Sequence, residues 1–174
     1  MPSYEHLSRA IRDVPDFPKP GILFKDITTL ILNPELFQEV IDIFYERYSD
    51  KGVDKVIAIE ARGYLFASAL AYRLGAGLVP IRKPGKLPAE TVSETYKLEY
   101  GTDSIEMHRD ALNPGDKVLL VDDLLATGGT AEAACKLIRG RQAQIVEVAF
   151  LVELDFLGGR KRLTDVDIFS IVHY

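Results

Sequence analysis

The chain has a single cysteine, Cys135, so no intrachain disulfide can form. Its three histidines, His6, His108 and His173, are far apart, without the paired spacing of a zinc site. No segment approaches the ~20 uninterrupted apolar residues of a membrane-spanning helix. The opening MPSYEHLSRAIRDVPDFP has no apolar core followed by a small-residue cleavage site. A net charge of −5 with no long basic run argues against a nonspecific nucleic-acid or membrane surface. These absences predict a cytoplasmic protein with no zinc site, no nucleic-acid partner and no membrane partner. What is present, 174 residues with 47% hydrophobic and 27% charged, suits one globular domain over 1–174. A domain near this size buries roughly 70% of its unfolded surface, enough for a sizeable core.

Along the chain, Tyr4 to Ile11 reads as a short helix, and the proline-rich VPDFPKPG after it as an extended, turning segment. Asn33 and Pro34 read as N-cap and first residue of a helix reaching about Tyr48, with Leu36, Phe37, Val40, Ile41 and Phe44 in one stripe. Val53 to Glu60 predicts a strand. Ala61, Arg62 and Gly63 turn it into a helix over Tyr64–Leu74, closed by Gly75 and apolar nearly all round, hence well buried. Leu78 to Arg82 is the next strand, and strand–helix–strand at this spacing implies a parallel crossover. The fold class is therefore α/β, a central and mainly parallel sheet flanked by helices. The alternating stretch Tyr96 to Tyr100 and the segment Ser104 to His108 predict the two arms of an antiparallel ribbon within a long polar, lid-like loop. QIVEVAFLVEL and DIFSIVHY supply further strands.

One stretch carries the chemistry: VLLVDDLLATGGT, Val118 to Thr130. Val118 to Val121 read as a buried strand ended by an acidic turn, Asp122 and Asp123. A small-residue loop follows, Ala126, Thr127, Gly128, Gly129 and Thr130, and then a helix with Ala131, Ala134, Cys135 and Ile138 on its apolar face. Cys135 there is a packing residue rather than a reactive thiol. The first turn of a helix has unpartnered amide hydrogens and a partial positive charge, so such a loop can surround a phosphate. The glycines allow close backbone approach, and the threonine hydroxyls add donors. The two carboxylates accept hydrogen bonds only, which suits the vicinal hydroxyls of a ribose, directly or around a cation. Ligands of a parallel sheet lie beyond the carboxyl ends of its strands, so the EARG turn should face the same cleft. Arg62 at that turn can hold an anion bidentately; Arg82, Lys83 and Lys86 are a charged loop or further anion ligands.

With those residues in view, VLLVDDLLATGGT resembles the phosphoribosyl diphosphate signature of the type I phosphoribosyltransferases. DFPKPGILFKDIT, EARGYLF, IRKPGKLP, YKLEYG and LVEL extend the similarity over nearly the whole chain, and DFPKPG with LEYG narrows it to members that act on adenine. The resemblance implies the type I phosphoribosyltransferase fold, with about 1–34 forming a small N-terminal hood and with a flexible lid ribbon. It implies transfer of the 5-phosphoribosyl group of phosphoribosyl diphosphate (PRPP) to N9 of adenine, giving AMP and diphosphate in purine salvage. Mg²⁺ would be held through substrate and water rather than by protein groups directly.

By the same resemblance Asp122 and Asp123 hold the ribose hydroxyls, and Ala126, Thr127, Gly128, Gly129 and Thr130 hold the 5-phosphate. Ala61, Arg62 and Lys86 meet the diphosphate, with Arg82 or Lys83 reaching a partner subunit's site in a homodimer. Leu23, Phe24, Lys25 and Leu125 bind adenine, Leu23 and Lys25 through backbone groups and Phe24 by stacking. Valine and arginine are common in the family where this chain has Leu23 and Lys25. Glu99, in the lid, matches the family's catalytic glutamate, and the Glu60–Ala61 peptide is expected to be cis. Two other readings are the same transfer to another base, such as hypoxanthine, and a regulator that senses PRPP without catalysis.

Overall fold

The computed structural model describes residues 4–97 and 101–174. Its first helix, α1 (Glu5–Ala10), leads into a two-stranded antiparallel ribbon, β1 (Arg12–Pro15) with β2 (Leu23–Asp26), joined through a cis Phe17–Pro18 bond. The Pro-rich segment thus turns the chain back on itself and begins with a strand that its sequence did not suggest. Two helices follow, α2 (Thr28–Ile31) and α3 (Pro34–Tyr48). Asn33 caps α3 as expected: its Oδ1 accepts from the Glu35 and Leu36 amides at 3.0 and 3.2 Å, and Pro34 needs no such partner. Asn33→Ala should lower stability by about 1 kcal/mol without changing activity, measured by urea unfolding.

The remaining chain builds a five-stranded, wholly parallel sheet from β3 (Lys55–Ile59), α4 (Gly63–Leu74), β4 (Gly77–Ile81), β7 (Lys117–Leu125), α5 (Gly129–Gly140), β8 (Gln144–Glu153) and β9 (Ile168–His173). Between β4 and β7 lies the antiparallel ribbon β5 (Thr91–Lys97) and β6 (Thr102–His108). The spatial order is β4–β3–β7–β8–β9. From β3 the chain crosses to β4 on one side, and from β7 to β8 on the other. The sheet therefore reverses direction between β3 and β7, and a crevice opens beyond their carboxyl ends.

The core has two layers. One face of the sheet packs on α1 to α4 through Leu7, Leu30, Val40, Phe44, Phe66 and Leu70. The other packs on α5 and the ribbon through Ala134, Ile138, Tyr96, Ile105 and Met107. Glu147 on β8 is buried with its charge met by Arg47 of α3, two bonds of 2.7 Å, and by the Tyr48 hydroxyl at 2.8 Å, which fixes α3 to the sheet. Cys135 is buried, and burial pushes its thiol up to about 11, in keeping with a packing role.

Three expectations need correction. Helix α4 is not buried all round: Leu65 and Tyr72, two turns apart, face outward and Tyr72 is 89% exposed, because the sheet covers only the side bearing Phe66, Ala67 and Leu70. The first arm of the ribbon starts at Thr91, earlier than the Tyr96–Tyr100 alternation implied; Tyr96 and Lys97 belong to it, 98–100 lie outside the described residues, and Val92 and Tyr96 supply its inward contacts. Asp122 and Asp123 are not a turn. They belong to β7, which outruns its pairing with β3 at Val121 but stays paired with β8 to Leu125–Glu153.

Candidate active site

The crevice between β3 and β7 collects most of the residues singled out above. On the β3 side, Glu60 and Ala61 are joined by a cis peptide, and Arg62 and Gly63 begin α4. Gly63 occupies the space that β3 vacates beside β7. A Cβ there would lie 2.8 Å from Asp122 Oδ1 and 3.0 Å from the Val121 carbonyl, so only glycine permits the approach. Arg62 Nε lies 2.9 Å from Asp123 Oδ2, and its guanidinium carbon is 5.1 Å from the centre of the Phe24 ring. The hood's aromatic residue and the strand's carboxylate are thus bridged by one side chain. Phe24 also meets Phe17 edge-on at 5.1 Å.

Asp123 is 4% exposed, and its Oδ2, although ion-paired with Arg62, has no hydrogen-bond partner. Burial, and after it the adjacent Asp123 charge, push the Asp122 carboxyl well above the usual carboxylate range. Two desolvated carboxylates side by side, one with a free acceptor, are costly unless a donor arrives. A pair of sugar hydroxyls, or water on a cation, meets that need.

Beyond β7, Gly128 adopts φ 82° as the N-cap of α5, and no side chain caps the helix, leaving first-turn amides available to an anion. Gly128 and Gly129 are buried, Thr127 is exposed, and Thr130 donates to the Tyr96 hydroxyl of the ribbon at 3.2 Å. The loop rests on a segment that sequence reasoning passed over, the 3-10 turns Asp155–Leu157 and Gly159–Arg162. A Cβ on Gly128 would lie 2.5 Å from the Gly159 carbonyl, and one on Gly159 would run into the Ala126 carbonyl. The two backbones touch glycine to glycine. This support is anchored in turn: Arg160 binds buried Glu153 at 2.9 and 2.6 Å, and Ser170 donates to the same carboxylate at 2.6 Å. The signal available in the sequence was Gly158–Gly159 followed by three basic residues.

The cationic loop is folded onto acidic partners of its own chain. Arg82 Nε donates to Glu60 at 2.8 Å and Lys86 Nζ to the same carboxylate at 2.6 Å. Burial works to raise the Glu60 carboxyl, but the hydrogen bonds from Lys86 and Arg82 outweigh it and hold it below the ordinary value. Lys83 pairs with Asp103 and reaches the Tyr96 hydroxyl at 3.3 Å. Glu60 was read only as a neighbour of the turn; its place at the end of a strand beside EARG was the clue to its role as their partner.

Two selected residues, Lys25 and Leu125, have side chains that stand apart from the crevice. The Lys25 side chain pairs with Asp13 at 2.6 Å and lies over the Tyr174 ring, so only its backbone is available on the hood. Leu125 is buried in the layer that holds α5, with Cδ1 beneath Gly159, whereas Leu124 packs against the layer carrying the hood. The adenine assignment of Leu125 therefore does not fit, because the core claims its side chain. Glu99 lies outside the described residues, in the connection between β5 and β6. Leu23 is exposed on the hood.

A phosphoribosyl transferase domain model matches residues 27–173. An adenine phosphoribosyltransferase of Acidobacterium capsulatum is 58% identical over 170 residues, covering 98% of this chain and 94% of the relative. The crystal structure of the adenine phosphoribosyltransferase of Thermoanaerobacter pseudethanolicus superposes with a TM-score of 0.95 at 49% identity, covering 99% of this chain and 100% of that one. That of Saccharomyces cerevisiae, complexed with an imino-altritol bisphosphate and adenine, gives 0.91 at 42% identity, covering 96% of this chain and 97% of that one. A parallel sheet that reverses at the crevice, a glycine loop opening α5 and identity sustained from end to end place the chain in the phosphoribosyltransferase family, among the adenine phosphoribosyltransferases.

Proposed function

We propose that the chain transfers the 5-phosphoribosyl group of PRPP to N9 of adenine, releasing diphosphate and forming AMP. The observation that carries this reading is the buried Asp123 Oδ2, ion-paired with Arg62 but without a hydrogen bond, between a glycine loop and an arginine that reaches the hood. Asp122 and Asp123 hold the ribose hydroxyls, and Ala126 to Thr130 take the 5-phosphate on the amides of α5. Arg62, Arg82, Lys83 and Lys86, with the Ala61 backbone, receive the diphosphate. Leu23 and Lys25 offer backbone groups to the adenine edge and Phe24 a ring to its face. The adenine bound in the Saccharomyces cerevisiae relative supports that acceptor.

The chemistry follows from charge. As the bond from C1 to diphosphate breaks, positive charge grows on the sugar ring and negative charge on the leaving group. Fixed cations at the diphosphate lower that barrier, since they need no reorganisation at the moment of reaction. The N9 proton leaves as the new bond forms, and Glu99 takes it. Mg²⁺, a hard ion that prefers oxygen, fits the carboxylate pair through water and would neutralise diphosphate charge. One domain over 1–174, with about 1–34 as hood, works as a homodimer in the cytoplasm. The outward Leu65 and Tyr72 of α4 offer apolar surface to a second copy.

One assay separates the readings: PRPP, Mg²⁺ and each purine base in turn, scored for nucleotide. AMP from adenine is expected. Product only from hypoxanthine would move the acceptor, and no product with any base would favour a PRPP sensor.

A further inference from the structure

Around Tyr96 four polar groups from three parts of the chain share their hydrogens. Tyr96 is 8% exposed, and Asp103 is its direct cross-strand partner in the ribbon. Thr130, the second residue of α5, gives its hydroxyl hydrogen to the Tyr96 oxygen at 3.2 Å, and Tyr96 donates to Asp103 Oδ2 at 3.2 Å. Lys83, two residues past the end of β4, gives hydrogens to both Asp103 and the Tyr96 oxygen. Asp103 also accepts from the Ser104 amide at 2.8 Å. Burial alone would lower the Lys83 ammonium, but Asp103 and Tyr96 hold it above its usual value.

A threonine hydroxyl has one hydrogen. With it committed to Tyr96, Thr130 turns only lone pairs toward the loop, and a phosphate offers nothing but acceptors in return. Lys83 has three hydrogens, and two are engaged. Thr130 must therefore be taken from Tyr96 before it donates to a ligand, and Lys83 has one hydrogen left for a ligand while its charge is shared with Asp103.

We propose that Tyr96 and Asp103 are built-in competitors for the phosphate donors of the site: Tyr96 holds Thr130 against the 5-phosphate, and Asp103 holds Lys83 against the diphosphate. The site thus binds its own cations and donors in competition with ligand, which weakens PRPP and speeds release of diphosphate and nucleotide. This inference rests on the reading of Thr130 and Lys83 as phosphate ligands. It differs from a supporting role in the sign of the effect, because removing a competitor tightens binding whereas removing a support loosens it.

The test is calorimetric titration of the full chain with ribose 5-phosphate and, separately, with diphosphate plus Mg²⁺. Tyr96→Phe should tighten ribose 5-phosphate roughly 2- to 10-fold, the range set by one net hydrogen bond. Asp103→Asn should tighten diphosphate by a similar factor and leave ribose 5-phosphate within about twofold, since Thr130 has no direct bond to it. Unchanged or weaker binding in both variants overturns the proposal. Asp103 is partly exposed, so its variant carries the test if Tyr96→Phe does not fold. If the unaltered chain binds neither ligand and makes no AMP, the functional reading falls as well; AMP formation with no tightening sinks this inference alone.

Discussion

Replacing Glu99 with alanine is expected to lower turnover by roughly 10²–10⁴-fold, the usual contribution of a positioned general acid or base, with PRPP affinity nearly kept. The argument begins at the nitrogen. N9 of neutral adenine must lose a proton as it bonds to C1, or the product would carry a positive charge on the purine. The groups around the crevice that face the leaving diphosphate are cations, and the carboxylates of β7 are assigned to the ribose hydroxyls, with Asp123 also paired to Arg62. Glu99 is three residues on from Tyr96, whose hydroxyl touches the phosphate loop, so the connection that carries it starts from the site. Glu99→Gln separates two roles. A loss equal to that of alanine points to proton transfer, and near-normal turnover in both variants removes Glu99 from the mechanism. Binding of PRPP, measured apart from turnover, distinguishes lost chemistry from a displaced lid.

Gly159→Ala is expected to reduce kcat/KM for PRPP by about 10²-fold, the loss that a misplacement near 1 Å brings to a preorganised site. A methyl group here meets backbone rather than a flexible side chain: the Ala126 carbonyl blocks it, and the Gly128 nitrogen and Leu125 Cδ1 would each be 3.0 Å away. The turn itself is anchored by Arg160 and Ser170 on Glu153, so the looser partner, the loop with exposed Thr127, must yield. Overpacking of this kind costs about 1–3 kcal/mol of stability, visible as a lower melting temperature. Gly140→Ala is the control, since a Cβ there has open space around it and a helical position, and it should lower neither property. Normal PRPP kinetics in Gly159→Ala would mean that the loop finds its shape without the turn beneath it.

Much of this arrangement was legible in the sequence because local patterns and tertiary structure agree. Asn33–Pro34 opens α3, Gly75 closes α4 in the left-handed conformation, and the apolar run before Asp122 forms a central strand. Where the reading missed, a distant partner decided the outcome. Asp122 and Asp123 interrupt an apolar run and so resembled a turn, but β8 continues alongside and keeps them extended. Leu125 sits beside the signature yet belongs to the core. Gly159 matters through a contact with Gly128, thirty-one positions earlier, and no spacing rule links the two. The pairing of Arg82 and Lys86 with Glu60 likewise depends on β4 lying beside β3.

The division of the core into two layers has a consequence for how such a protein can diversify. The hood shares its packing with α1 to α4, while the phosphate loop and the ribbon share theirs with α5. Substitutions that reshape the pocket over Phe24 can accumulate in the first layer without repacking the second. The hood and the 5-phosphate loop therefore rest on opposite faces of one sheet, with Arg62 as the link between Phe24 and Asp123, and a lineage can reshape its base pocket while inheriting the 5-phosphate loop intact.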